Sequence, residues 1–142
     1  MRPPPLAPAL LEALCAHLEQ CYPEEGCGVV LVGEDGARVQ PLRNASAVDP
    51  RHGFAFEPRE WLQLSKAADT AGERVRCVFH SLADGAAYLS AVDREAAAPQ
   101  GQPLLPGVLQ LVVSVRCGRA GEAAAFRFKD GEFLEEWRGP AR

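Results

Sequence analysis

The spacing of hydrophobic positions along this chain changes several times, and each change marks an element. From Ala7 to Cys21, Leu10, Leu14 and Leu18 recur every four residues beside Leu11 and Cys15, which predicts one apolar helical face. Tyr22-Pro23 ends that pattern, because proline cannot continue a helix and biases the residue before it. The continuous apolar run CGVVLVG (27–33) predicts a buried strand. EDG (34–36) is turn chemistry, and ARVQPLRN (37–44) reads as the returning hairpin strand. Residues 44–58 are loop-like, with an extended segment near Phe54 and Phe56. Residues 59–73 predict a second helix, with Trp61, Leu62, Leu64 and Ala68 on or near its apolar side.

Further along, RVRCVFH (74–80) alternates as a strand does, and SAVDREAAA (90–98) reads as a short helix stopped by Pro99. Residues 99–107 read as a flexible linker that carries two leucines, Leu104 and Leu105, toward the surface. VLQLVVSVR (108–116) is the strongest strand pattern in the chain. AAAFRF (123–128) and EFLEEW (132–137) flank KDG, a good hairpin turn. No repeat and no second composition regime appears. The expectation is one mixed α/β domain over 7–138, a central sheet flanked by helices, with loose tails at 1–6 and 139–142.

Composition narrows the function classes. A chain of 142 residues suits one domain with a substantial core. The net charge of −4, with no basic patch, argues against nucleic-acid binding. No apolar run reaches the length of a membrane span, and Glu12, His17 and Glu19 interrupt the N-terminal segment that a secretory signal would keep apolar. Five cysteines without a CxxC pair point to reduced thiols. A soluble cytoplasmic protein without a membrane or nucleic-acid partner is therefore expected.

The candidate chemistry lies in VFHSLADGAAYLSAVDREAA (78–97). By strand alternation Val78 and His80 share one face, and Cys77 and Phe79 share the other. His80 stands where the predicted strand gives way to a Gly-bearing loop, a frequent place for site residues. Ser90 and Asp93 form S-x-x-D ahead of a helix. On spacing alone they are a capping box, in which the serine hydroxyl accepts a backbone N–H and the aspartate reaches back.

Taken with YPEEGCGVVLVG (22–33), the segment resembles the JAMM, or MPN-domain, metalloprotease family, and the likeness extends over about residues 8–137. That family's pattern is an early glutamate, then H-x-H, seven residues, serine, two residues, aspartate. His80, position 82, Ser90 and Asp93 fall on this spacing, and Glu25 stands two residues after Pro23, as the family's glutamate does. The resemblance implies a cytidine-deaminase-like α/β fold and a zinc hydrolase in which two histidines and an aspartate hold Zn²⁺ beside a water. Such a metal lowers the water's pKa to about 7. Carried over, Glu25 would be the general base, His80 and Asp93 ligands, and Ser90 a donor to the oxyanion. The implied partner is the C-terminal tail of a ubiquitin-like or sulfur-carrier-type protein.

Position 82 departs from the pattern, because it is Leu82, whose side chain has no lone pair to give a metal. The expectation is therefore a family member with weak or absent zinc and impaired or absent hydrolysis that keeps the fold and tail binding. Two alternatives stand beside it. One is an active zinc peptidase with a substitute third ligand. Asp84 is the best candidate for that role, although its plainer reading, next to Gly85, is a turn residue. Cys27 shares a strand face with Glu25 but reads as a buried core thiol. Cys77 should point away from His80, and His52 sits in a loop that the sequence does not place. The other alternative is a non-catalytic subunit that dimerises with an intact homo- or hetero-partner.

Overall fold

The leucine spacing of the first segment does build a helix, α1 (Pro8–Cys21), whose buried stripe is Leu11, Leu14, Cys15 and Leu18. The computed structural model describes residues 2–47 and 49–142. Beside α1 it places six strands: β1 (Cys27–Gly33), β2 (Gly36–Leu42), β3 (Arg74–Ala83), β4 (Leu109–Arg116), β5 (Arg119–Lys129) and β6 (Glu132–Pro140). They form one mixed sheet in the order β2-β1-β3-β4-β5-β6. Only β3 and β4 run parallel. The crossover between them carries a short helix, α3 (Ala91–Ala97), and α2 (Pro58–Ala71) lies between β2 and β3 in the chain.

Alternation along the central strands divides the core. Cys77, Phe79, Leu109, Leu111 and Val113 join Leu14 and Leu18 under α1. Leu14 and Leu18 are fully buried, a contribution of about 1.5–3 kcal/mol each. On the other face Val29, Leu31 and Val78 meet Ala68, Trp61 and Leu64 of α2, together with Phe54 and Phe56. A third cluster, with Val112, Ala124, Phe126, Leu89 and Ala87, lies farther along that face. At the β5–β6 turn, Asp130 (φ 53°) and Gly131 (φ 89°) both adopt the positive φ that a tight hairpin requires.

Several boundaries differ from expectation for identifiable reasons. β3 continues three residues past His80, because parallel pairing to β4 extends through Ser81↔Val113, Leu82↔Ser114 and Ala83↔Val115. His80 and Leu82 are therefore strand residues rather than loop residues. Leu62, placed near the apolar side of α2, is 54% exposed. The 99–107 segment is an ordered turn, not a flexible linker. It contains a 3-10 turn at Pro99–Gly101, and Leu104 N–H donates to Ala97 O at 3.0 Å. Leu105 packs inward while Leu104 stays exposed.

Single residues near each end pack against the domain. Leu6 is buried, and Arg76 donates to Pro5 O at 3.0 Å. Ala141 is buried, its N–H donates to Gly121 O at 2.7 Å, and Arg142 pairs with Glu12 and Glu19. All five cysteines are free thiols. Among the described residues no helix is long and apolar enough to cross a membrane.

Candidate functional site

Glu25, His80, Ser90 and Asp93 come from the approach to β1, from β3 and from α3, and the fold holds each by a separate device. Glu25 is fixed through its backbone: its N–H donates to Pro50 O at 2.7 Å, and its carbonyl accepts from Asn44 Nδ2 at 2.9 Å. The next residue packs closely on α1: a Cβ on Gly26 would lie 2.8 Å from Leu18 and 2.9 Å from the Cys21 sulfur, so any larger residue would have to displace those side chains. Ser81 of β3 locks this point, accepting from Gly26 N–H on its hydroxyl (2.8 Å) and donating its own N–H to Gly26 O (3.0 Å).

The Glu25 carboxyl ends in a protein interior that offers it little. The residue is 3% exposed, and its Oε1 has no hydrogen-bond partner. Burial pushes its pKa up to about 8, and the charges of Asp93 and Asp49 push the same way. At neutral pH this side chain is therefore mostly protonated.

His80 is 1% exposed and lies between Cys27 of β1 and Val112 of β4 in the sheet register. Phe54 stacks on its ring, with centroids 4.4 Å apart and planes at 24°. Its Nε2 lies 3.3 Å from Asp93 Oδ2. The alignment is not that of a hydrogen bond, so both ring nitrogens lack such a partner and the contact is electrostatic.

Ser90 and Asp93 form the capping box that their spacing predicts. Ser90 Oγ accepts from Asp93 N–H at 3.1 Å, and Asp93 Oδ2 accepts from Ser90 N–H at 3.2 Å. Burial alone would raise the Asp93 pKa. The His80 ring and the Ser90 hydroxyl and N–H together outweigh it and hold the carboxyl below its ordinary value. Arg94 anchors this corner. It donates to Leu89 O (2.9 Å) and Phe133 O (2.8 Å), and its guanidinium lies 5.6 Å over the Phe126 ring.

The other candidates are occupied elsewhere. Leu82 packs against the cluster that contains Ala87, Leu89 and Val112. Asp84, at φ 58°, accepts from the Tyr22 hydroxyl (2.6 Å) and from Cys117 N–H (2.8 Å), which is the engagement of a turn residue. The Cys27 thiol is fully buried, pushed up to about 12 by burial, and donates to Leu42 O. Cys77 lies on the α1 face, away from His80. His52 is exposed and paired with Asp49 at 2.6 Å.

Two donors, His80 and Asp93, thus face each other while an isobutyl group stands at position 82. Among the described residues no group of three His, Cys, Asp or Glu side chains is placed to hold a metal ion. A catalytic zinc takes three protein ligands, so the donor set of this chain does not fit one.

A groove of about 610 Å³ opens beside His80 and Asp93. Phe54, Phe56, Trp61, Leu89, Leu104 and Leu105 supply apolar wall, and Gln110 adds a third polar group beside His80 and Asp93. Three residues important to this architecture had no chemical signal in the sequence. Phe54 is one of two aromatics in an irregular segment, and Gln110 is the polar member of an apolar strand. Asn44 organises the loop over the site: its Nδ2 donates to Glu25 O, Pro50 O and Gly53 O, and its Oδ1 accepts from Ser46 and Ala55 N–H.

Comparison with known proteins places this geometry in context. A family model described as prokaryotic homologs of the JAB domain matches residues 7–129. The chain is 31% identical over 117 residues to a desampylase of Haloferax volcanii, covering 80% of this chain and 76% of that protein. It is 30% identical over 131 residues to a CysO-cysteine peptidase of Mycobacterium tuberculosis, covering 89% and 84%. Similar solved structures include a Desulfitobacterium hafniense protein (TM-score 0.67, 26% identity, 90% of this chain and 86% of that one). Another is a Salinibacter ruber protein (TM-score 0.63, 30% identity, 92% and 87%).

Proposed function

This chain belongs to the prokaryotic homologs of the JAB domain, the JAMM-type group, and on that premise we propose that it binds the C-terminal tail of a ubiquitin-like or sulfur-carrier protein while being impaired in hydrolysis. The observation that carries the reading is Leu82 on β3, two residues from His80, where a third donor would complete the set with His80 and Asp93. Both relatives named above are peptidases or deconjugating enzymes by name, which supports a protein tail as the ligand class.

The chemistry of the chain's own residues follows from their environment. Zinc would supply a polarised, acidified water, but two donors hold it far more weakly than three; even the loss of an outer-shell partner typically costs about 10–100-fold in affinity. Glu25, mostly protonated at neutral pH, is a poor proton acceptor. What remains is recognition: an apolar groove with a few polar groups suits an extended peptide. A substitute ligand at Asp84 has no geometric support, since its carboxylate already holds Tyr22 and Cys117.

The test pairs metal content with turnover. Protein purified and exposed to zinc at neutral pH is expected to retain well under one equivalent and to leave ubiquitin-like fusions uncut. Stoichiometric zinc, with cleavage abolished by Glu25→Gln, would overturn the proposal.

A further inference from the structure

Gln110 is the one polar side chain of the groove that neither the family motif nor the fold employs. It sits on β4 among Leu109, Leu111, Val112 and Val113, all fully or almost fully buried, and is itself only 7% exposed. Its register partners are Val78 on β3 and Phe126 on β5. Val112, two residues on, pairs with His80, so Gln110 and His80 face the same side about 7 Å apart along the strands. Its side chain lines the groove, no other described residue hydrogen-bonds its amide, and that amide is open to the groove rather than sealed in the core. A carboxamide that meets water only in a groove can exchange that water for the polar atoms of a ligand.

The chemistry of the amide selects those atoms. A carboxamide offers a donor and an acceptor side by side. In an extended peptide the N–H and C=O of one residue point to the same side, so the two units match in two parallel hydrogen bonds. An anionic group would satisfy only the donor, leave the Gln110 oxygen against negative charge, and lie near Asp93. Of the surrounding walls, Phe54 and Leu105 offer a peptide unit no side-chain hydrogen bond and Trp61 offers only its indole N–H donor, whereas Gln110 offers a donor and an acceptor together.

We propose that Gln110 reads the main chain of the bound tail, pairing with the N–H and C=O of one residue about two positions from the residue that lies over His80. This rests on the tail-binding reading above. It makes Gln110 a specificity residue for extended backbone at that point, whatever the side chain there.

The experiment is fluorescence anisotropy on the full chain, with labelled C-terminal tail peptides of ubiquitin and of CysO, each also prepared with a single N-methyl group at every peptide nitrogen in turn. Gln110→Leu is expected to weaken binding about five- to thirtyfold, the effect of losing one or two neutral hydrogen bonds. One N-methyl position should weaken the wild type about fivefold and leave Gln110→Leu unaffected, because the variant has already lost the bond that the methyl group deletes. Gln110→Met, matched in length, is read in parallel, and unaltered thermal unfolding establishes that each variant is folded. Equal affinity of the variants and wild type, or additivity at every N-methyl position, overturns the inference while leaving tail binding intact. A wild type that binds none of the tails overturns the tail-binding reading itself, and this inference with it.

Discussion

Replacing Leu82 by histidine tests the account of the site most directly, because its two consequences have opposite signs. Leu82 is half-buried against the Leu89–Val112 cluster, so exchanging its isobutyl group for an imidazole costs about 1 kcal/mol of apolar burial. With an unfolding entropy of about 2.1 cal/mol/K per residue, roughly 300 cal/mol/K for this chain, 1 kcal/mol lowers the melting temperature by about 3 °C. Zinc should reverse that. The new imidazole would share the strand face of His80 about 7 Å away and complete a set with Asp93. At zinc one hundred times the variant's dissociation constant, binding adds about 2.7 kcal/mol, or about 9 °C. If the wild type binds about a hundredfold more weakly, the same zinc adds about 0.4 kcal/mol, or roughly 1 °C. Differential scanning fluorimetry of both proteins, with and without zinc, reads all four values, and elemental analysis counts the metal. A Leu82→His protein with no larger zinc shift than the wild type would refute the reasoning, since a missing ligand would then not be what separates this site from a metal centre.

Three further outcomes follow from the site. Ser90→Ala removes the acceptor for Asp93 N–H at the start of a seven-residue helix and should cost about 1 kcal/mol, seen as a melting temperature about 3 °C lower. Asn44→Ala strips the partners from Glu25 O and Gly53 O and should cost about 2–3 kcal/mol, with hydrogen exchange accelerated over the loop around the site and unchanged in α1. Glu25 gives a pH signature. Its folded pKa, about 8, lies above the ordinary 4.5, so the native state binds the extra proton between those values. The contribution to stability is complete below about pH 4.5 and is lost as pH rises toward 8, with a slope of at most about 1.4 kcal/mol per pH unit. Glu25→Gln should flatten that slope in denaturant titrations and be the more stable protein at pH 8; parallel profiles for the two proteins would contradict the assignment.

Much of the fold was legible because the apolar periodicities are strong and their ends are marked by Pro and Gly. Leu11, Leu14 and Leu18 wrote α1, CGVVLVG wrote β1, and Ser90 with Asp93 wrote the cap of α3. What escaped depended on long-range pairing. Nothing local in SLA extends β3 through Leu82; the partner strand β4 does, from thirty residues farther along. Near the ends, Leu6 and Ala141 are single apolar residues without a period, and their burial comes from packing on α1 and the sheet. The family spacing singled out Glu25, His80, Ser90 and Asp93, and of these the structure sets His80 beside Asp93 and Ser90 in one cap with it. Phe54 over His80 was not, since irregular backbone carries no repeating pattern from which to read a contact.

Of the four motif residues, two do work the fold alone can account for: Ser90 and Asp93 cap α3. His80 lies under Phe54 with Asp93 beside it, yet both its ring nitrogens are buried without a hydrogen bond. Glu25 fits a purely structural explanation least. Its carboxyl is buried, one oxygen is without a partner, and its ionised form is disfavoured by burial and by two neighbouring aspartates. A site remade only as core would place an apolar or amide side chain there at lower cost. The polar set around position 25 therefore carries more than packing requires, and among the motif positions the apolar residue is Leu82 alone. This is why one added imidazole, rather than a wholesale redesign, is the decisive perturbation: it leaves the buried acid, the capped aspartate and the groove unchanged and alters only the number of donors.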